Sequence, residues 1–237
     1  MRFCIGIFCQ FAVSSLFKQH YSGTNHLVLK VLKAVQLSKE IYDSTESIEL
    51  THFEDTLYIT HRGTVSKKEW LNNFNLFPIS STLFVGKFHT GFVREFDIIL
   101  SSEIYTRILD NMHTYDNIVF CGHSRGASMS LLLSQHFARI YPEHNFGVFT
   151  FGMPKVADSD FFTYYNDIKN IEHFDYAIND DIVPSIGTVE NLSSNRVTLY
   201  SQNSKSMKEM FDFYELHSID RYEDAITYCL SAPSNPF

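Results

Sequence analysis

Apolar residues recur at helical spacing through "HLVLKVLKAVQLSKEIY", among them Leu29, Leu32, Val35 and Ile41, and the turn residues Ser22-Gly23-Thr24-Asn25 stand just ahead of it. The spacing predicts a helix there. Two short strand-like runs follow, "SIELTHF" and "TLYITHRG", parted by Glu54 and Asp55. Beyond them strand and helix alternate. "GFVREFDIILSSEIYTRILDNM" reads as one helix, "NIVFCG" as a short buried strand, "SRGASMSLLLSQHFARIY" as a helix and "FGVFTFG" as another buried strand. "DSDFFTYYNDI" reads as helical, "IEHFDYAI" and "RVTLYSQ" as strands, and "SIDRYEDAITYCL" as a final helix before the tail "SAPSNPF". Several of the strands are apolar on both faces, which belongs to a mainly parallel sheet covered by helices on both sides. The expected class is α/β.

The chain has 237 residues, enough for one well-buried domain. We therefore read residues 27–237 as one domain, preceded by an N-terminal segment, 1–26. That segment, "MRFCIGIFCQFAVSSLF" and the residues after it, places Arg2 before an apolar stretch interrupted by Gln10, with small Ala12 and Ser14. It fits a signal-like leader and a first strand or helix equally well, so cytoplasmic and secreted localisation both stay open. Asn191-Leu192-Ser193 is a glycosylation sequon only in the secreted case. A membrane span needs about 20 apolar residues, more than this stretch offers.

Charge narrows the class. Lys plus Arg number 19 against 27 Asp plus Glu, a formal charge of −8, and no basic cluster is present to neutralise a run of phosphates. Nucleic acid is excluded as an expected partner. The four cysteines form no C-x-x-C pair, the 11 histidines are scattered, and neither H-E-x-x-H nor a calcium-loop pattern occurs. No metal and no cofactor are expected.

Chemistry enters at "VFCGHSRGASMSLLLS". Gly122 and Gly126 stand two residues before and two after Ser124, between an apolar run and a helical pattern. A helix cap needs only a side-chain oxygen. Glycines on both sides indicate a sharp strand-to-helix elbow that holds the serine hydroxyl above the sheet as a nucleophile. A hydroxyl is a weak nucleophile and needs a histidine to take its proton and a carboxylate to orient that histidine. Folds with this elbow place the acid and then the base after the serine. Of the later histidines, His136 falls on the elbow's own helix, His144 in the "YPEH" turn and His173 inside a strand-like run. His217, in a loop immediately before the last helix, is the candidate base. For the acid, "YAINDDIVPSIG" offers Asp180 and Asp181 in one turn, and spacing does not choose between them.

These residues resemble the fungal-type, or class 3, lipase family of the α/β-hydrolase fold. The resemblance spans roughly residues 27 to 232 and is carried in order by "YITHRGTVSKKEWLNNFN", "FHTGFVREF", "VFCGHSRGA", "TFGMPKVADSDF", "NDDIVPSIG" and "LHSIDRY". It implies Ser124 as nucleophile, Asp181 as the acid, directly before Ile182-Val183-Pro184, and His217 as the base. It further implies Thr64, after Arg62-Gly63, and the backbone N–H of Arg125 as oxyanion donors. Trp70, Leu71 and Phe74 in "SKKEWLNNFNLF" match the family's lid helix, which would expose an apolar side at a lipid surface. Two positions depart from the family's habit: Arg125 stands where leucine is usual, and Ala127 where glycine is usual.

The implied activity is a carboxylic ester hydrolase acting on lipids, of triacylglycerol-lipase type, through an acyl-enzyme and without a cofactor. The substrate would be a lipid or other ester, met at a lipid–water interface where the lid applies. Two alternatives remain: the same triad serving a phospholipase A or short-chain carboxylesterase, and a catalytically silent lipid-binding protein that keeps the fold. Acyl length, headgroup and oligomeric state are not encoded in any pattern found.

Overall fold

The computed structural model describes residues 24–64, 78–187, 196–200 and 213–231. The leader-like segment up to residue 23, the lid candidates Trp70, Leu71 and Phe74, and the sequon at Asn191 lie outside them.

The described strands are β1 (Ile48–Phe53), β2 (Thr56–His61), β3 (Pro78–Ser80), β4 (Lys87–His89), β5 (Asn117–His123), β6 (Asn145–Phe151), β7 (Ile171–Ile178) and β8 (Arg196–Leu199). The helices are α1 (Thr24–Glu40), α2 (Thr90–Leu100), α3 (Glu103–Met112), α4 (Arg125–Ile140), α5 (Ser159–Asn166), α6 (Phe213–Leu216) and α7 (Ile219–Ser231). The main sheet runs β1-β2-β5-β6-β7-β8. Among the described residues, only the β1–β2 hairpin in it is antiparallel, and every pairing from β2 to β8 is parallel.

Period-two side-chain alternation explains why the central strands are apolar throughout. In β2 and β5, Leu57, Ile59, Ile118 and Phe120 face one core, with α2, α3, α4 and α5. Tyr58, Val119 and Cys121 face the other, with α1 and α7. Each fully buried side chain of this size contributes about 2 kcal/mol by removal from water. Burial also pushes the Cys121 thiol up to about 11, which leaves it as a packing group 3.3 Å from Thr60 Oγ1.

Two features differ from the sequence expectation. The run over 91–112 is two helices, because Ser101 and Ser102 turn their hydroxyls onto the carbonyls of Ile98 and Ile99 at 3.0 and 2.6 Å and end the first helix. Such local hydrogen bonds compete with helix continuation. A small β3–β4 hairpin also forms outside the main sheet. Its three-residue strands are too short to show alternation. Among the described residues, no helix is long and apolar enough to cross a membrane, and no group of three or more His, Cys, Asp or Glu is arranged to hold a metal.

Candidate active site

Strand β5 ends at His123 and α4 begins at Arg125, so the whole change of direction falls on Ser124. Its backbone sits at φ 59°, ψ −126°, a left-handed conformation that is rare for a residue with a side chain. The flanking glycines explain how this is reached. A Cβ on Gly122 would lie 2.5 Å from the Gly126 carbonyl carbon, and one on Gly126 only 2.0 Å from the His61 carbonyl oxygen. Both clashes are with backbone that cannot give way. The elbow is pinned further by Ser124 N–H donating to Phe151 O at 2.9 Å.

The segment Arg62-Gly63-Thr64 leaves β2 beside this elbow. Arg62 N–H donates to Ser47 O at 2.8 Å, and a Cβ on Gly63 would stand 2.8 Å from His123 O, so the two backbones touch. Thr64 is buried there. The start of α4 packs on the same segment, where a Cβ on Gly126 would stand 3.0 Å from the Arg62 carbonyl carbon, and the first N–H groups of a helix have no partner within it.

The two remaining candidates stand in loops. Asp181 follows β7 in the turn leading to Pro184, and His217 occupies the connection between α6 and α7. His217 Nδ1 lies 2.7 Å from Asp181 Oδ2, with both side chains buried. Because a carboxylate only accepts, Nδ1 carries the hydrogen and Nε2 becomes the basic nitrogen. The His217 ring packs on His123, the neighbour of Ser124, with centroids 4.4 Å apart. His123 in turn meets the Tyr42 hydroxyl at 2.8 Å through Nδ1. Burial, reinforced by the charge of His217, holds His123 well below the usual imidazole value, so it stays neutral against the His217 ring.

The two aspartates of that turn differ in their partners. Asp180 is gripped by Arg221, whose Nη2 lies 2.8 and 2.9 Å from its two oxygens. Asp181 accepts from His217, from Val183 N–H at 2.9 Å and from the Tyr222 hydroxyl at 2.5 Å. The other histidines are engaged elsewhere: His136 with Tyr105, His144 with Met112 O and His173 with Thr150.

Sequence reasoning missed Tyr222. Burial, followed by the charge of Asp181, raises its phenol well above the usual value, so it remains an O–H donor to that carboxylate. Its only trace in sequence is a place on the apolar stripe Ile219, Tyr222, Ile226 of α7. Such a stripe reads as plain core. Gly152 was missed too. It follows β6 at φ 60°, and a Cβ there would stand 2.7 Å from His217 Cε1 and 2.9 Å from the Tyr222 hydroxyl.

Comparison with known proteins bears on this arrangement. The model of the family described as Lipase (class 3) matches residues 58–191, more than half of the chain. The chain belongs to the class 3 lipase family. A lipase of Rhizomucor miehei is 28% identical over 142 residues, covering 57% of this chain and 38% of that protein. The toxin TseL of Vibrio cholerae serotype O1 is 35% identical over 78 residues, covering 33% of this chain and 12% of the toxin. The alignments thus span well under two thirds of either relative. Among solved structures, the R. miehei triacylglyceride lipase superposes with a TM-score of 0.60 at 18% identity, covering 84% of this chain and 93% of that one. The lipase from Rhizopus microsporus var. chinensis gives 0.61 at 16% identity, with 77% of each chain covered. At such identities the likeness concerns the fold, which is the α/β-hydrolase fold of class 3 lipases.

Proposed function

We propose that the protein is a serine hydrolase that cleaves carboxylic esters of lipids, with Ser124 as nucleophile, His217 as general base and acid, and Asp181 as the carboxylate that orients it. The observation that carries this reading is the buried 2.7 Å contact between His217 and Asp181, its imidazole packed on the residue next to a serine held at φ 59°. In the proposed reaction Ser124 Oγ attacks the acyl carbonyl as His217 Nε2 takes its proton. The tetrahedral oxyanion is received by the N–H groups of Thr64 and Arg125. His217 then protonates the departing alcohol, and water repeats the sequence on the acyl-enzyme to release the carboxylic acid. Asp181 stabilises the imidazolium formed twice per turnover. Removing one oxyanion donor of this kind costs on the order of 100-fold in rate.

The test is hydrolysis of p-nitrophenyl esters of acetate, octanoate and palmitate, and of a triacylglycerol emulsion, by wild type and Ser124→Ala. A lipase gives Ser124-dependent turnover that rises above the solubility limit of the substrate. Turnover on the acetate ester alone points to a short-chain esterase. Equal activity in both proteins removes Ser124 from the mechanism. An inactive wild type that also resists a fluorophosphonate probe identifies a silent hydrolase fold.

A further inference from the structure

One charged chain beside the elbow has no part in the triad. Glu95 projects from α2 and meets two cationic or N–H-bearing side chains at once. Its Oε1 lies 3.2 Å from His61 Nε2 and its Oε2 lies 3.4 Å from Arg125 Nη1. His61 is the last residue of β2 and Arg125 the first of α4. The His61 side chain is only 1% exposed, against 20% for Glu95 and 29% for Arg125. His61 Nδ1 is 3.0 Å from the Arg62 carbonyl, so the ring is fixed to the segment that leads into Thr64. Burial pushes the Glu95 carboxyl up, but His61 and Arg125 outweigh it and hold the group below its usual value. It is therefore ionised at neutral pH.

The placement matters because His61 and Arg125 begin the two segments that present the oxyanion donors, Thr64 N–H and Arg125 N–H. We propose that Glu95 is a positioning residue for the oxyanion hole, a carboxylate strut from α2 that fixes β2's end against the start of α4 and so sets the spacing of the two donors. The backbones already touch where Gly126 meets the His61 carbonyl, so a small rotation of either segment changes the hole directly. The strut also gives Arg125 a partner at a position where the family usually carries leucine. Glutamine keeps the shape of the side chain but removes the charge that pairs with Arg125.

This inference rests on the function proposed above, so the experiment separates the two. Glu95→Gln is compared with wild type for kcat and KM on p-nitrophenyl octanoate and for inhibition by an alkyl trifluoromethyl ketone. That inhibitor's serine adduct carries an oxyanion in the hole. Active protein is counted by fluorophosphonate titration. The expected result is a kcat about 10- to 100-fold lower per active molecule. Ketone inhibition should weaken by a similar factor, while KM stays within about twofold. A merely structural role would lower the titratable fraction and leave kcat per active molecule and ketone affinity unchanged, and that result overturns the proposal. If Glu95→Gln does not fold, Arg125→Met, which removes the other end of the strut but keeps the backbone N–H, carries the same expectation. Wild type without Ser124-dependent turnover would sink the proposed function and the strut with it. Normal wild-type turnover with an unaffected Glu95→Gln would sink the strut alone.

Discussion

Two neighbouring aspartates with contrasting partners allow a sharp test of the site. In Asp181→Asn the carboxylate is exchanged for an amide of the same shape in a place that supplies only donors. One oxygen position receives both His217 Nδ1–H at 2.7 Å and Tyr222 O–H at 2.5 Å, and the other receives Val183 N–H at 2.9 Å. If the amide NH2 takes the first position, His217 must move its hydrogen to Nε2 and can no longer accept a proton from Ser124. If it takes the second, two N–H groups are forced together at hydrogen-bond distance. Either arrangement also removes the charge that stabilises the imidazolium. A loss of roughly 10³- to 10⁴-fold in kcat is expected, as in other serine triads that lose this carboxylate. Asp180→Asn instead weakens one pair with Arg221, whose side chains are 27% and 14% exposed. That change should cost no more than about 1 kcal/mol of stability and leave kcat within a few-fold. Steady-state hydrolysis of p-nitrophenyl octanoate, with urea melts to compare folding, reads both. A deeper loss of kcat in Asp180→Asn than in Asp181→Asn would refute the reasoning.

Tyr222→Phe removes one donor to Asp181 and the acceptor that Ile178 N–H meets at 3.3 Å. It should lower stability by about 1.5–3 kcal/mol and kcat by roughly tenfold, measured by urea melts and turnover, and variants within twofold of wild type in both would count against the role assigned to this hydroxyl. Gly152→Ala places a methyl 2.7 Å from His217 Cε1 on a backbone at φ 60°, so it should lose most activity while the thermal transition falls only modestly. Stability should decline on acidification: burial lowers His173 to about 4 in the fold, beside Thr150, Asp175, Arg196 and the Tyr165 ring, against 6.5 when unfolded. Between those values the unfolded chain binds a proton that the native one does not, so stability is full above about 6.5 and falls by up to about 3 kcal/mol towards pH 4. Melting curves over pH 4–7 should be flatter in His173→Gln. Native protein should leave Cys121 unmodified by a thiol-specific disulfide reagent and expose it only on denaturation, since the thiol is fully buried and pushed up to about 11.

Local pattern was enough to make several features legible. Strands β5 and β6 could be read because both their faces are apolar, which two covering layers of helix require. The elbow could be read because glycines at fixed distances from Ser124 mark a turn whose sterics are local, and the candidate base could be narrowed to His217 because chain order removes the histidines before Ser124 and the element pattern sets aside His136, His144 and His173. The split between α2 and α3 escaped because two serines can either continue a helix or end it, and the carbonyls they find decide which. Asp180 and Asp181 are alike in sequence and share one turn. The resemblance to class 3 lipases pointed to Asp181, and in the fold the two differ by their partners, Arg221 for Asp180 and His217, 36 residues further on, for Asp181. Tyr222, Gly152 and Glu95 carried no local signal either, since each acts on a group from a distant part of the chain, and such pairings exist only after β2, β5, β6 and β7 have aligned their ends. The sequence by itself therefore determined most of the elements and the chemical types at their edges. The tertiary structure decided which donor faces which acceptor, because that depends on distances of about 3 Å between segments brought together only by burial of the two cores.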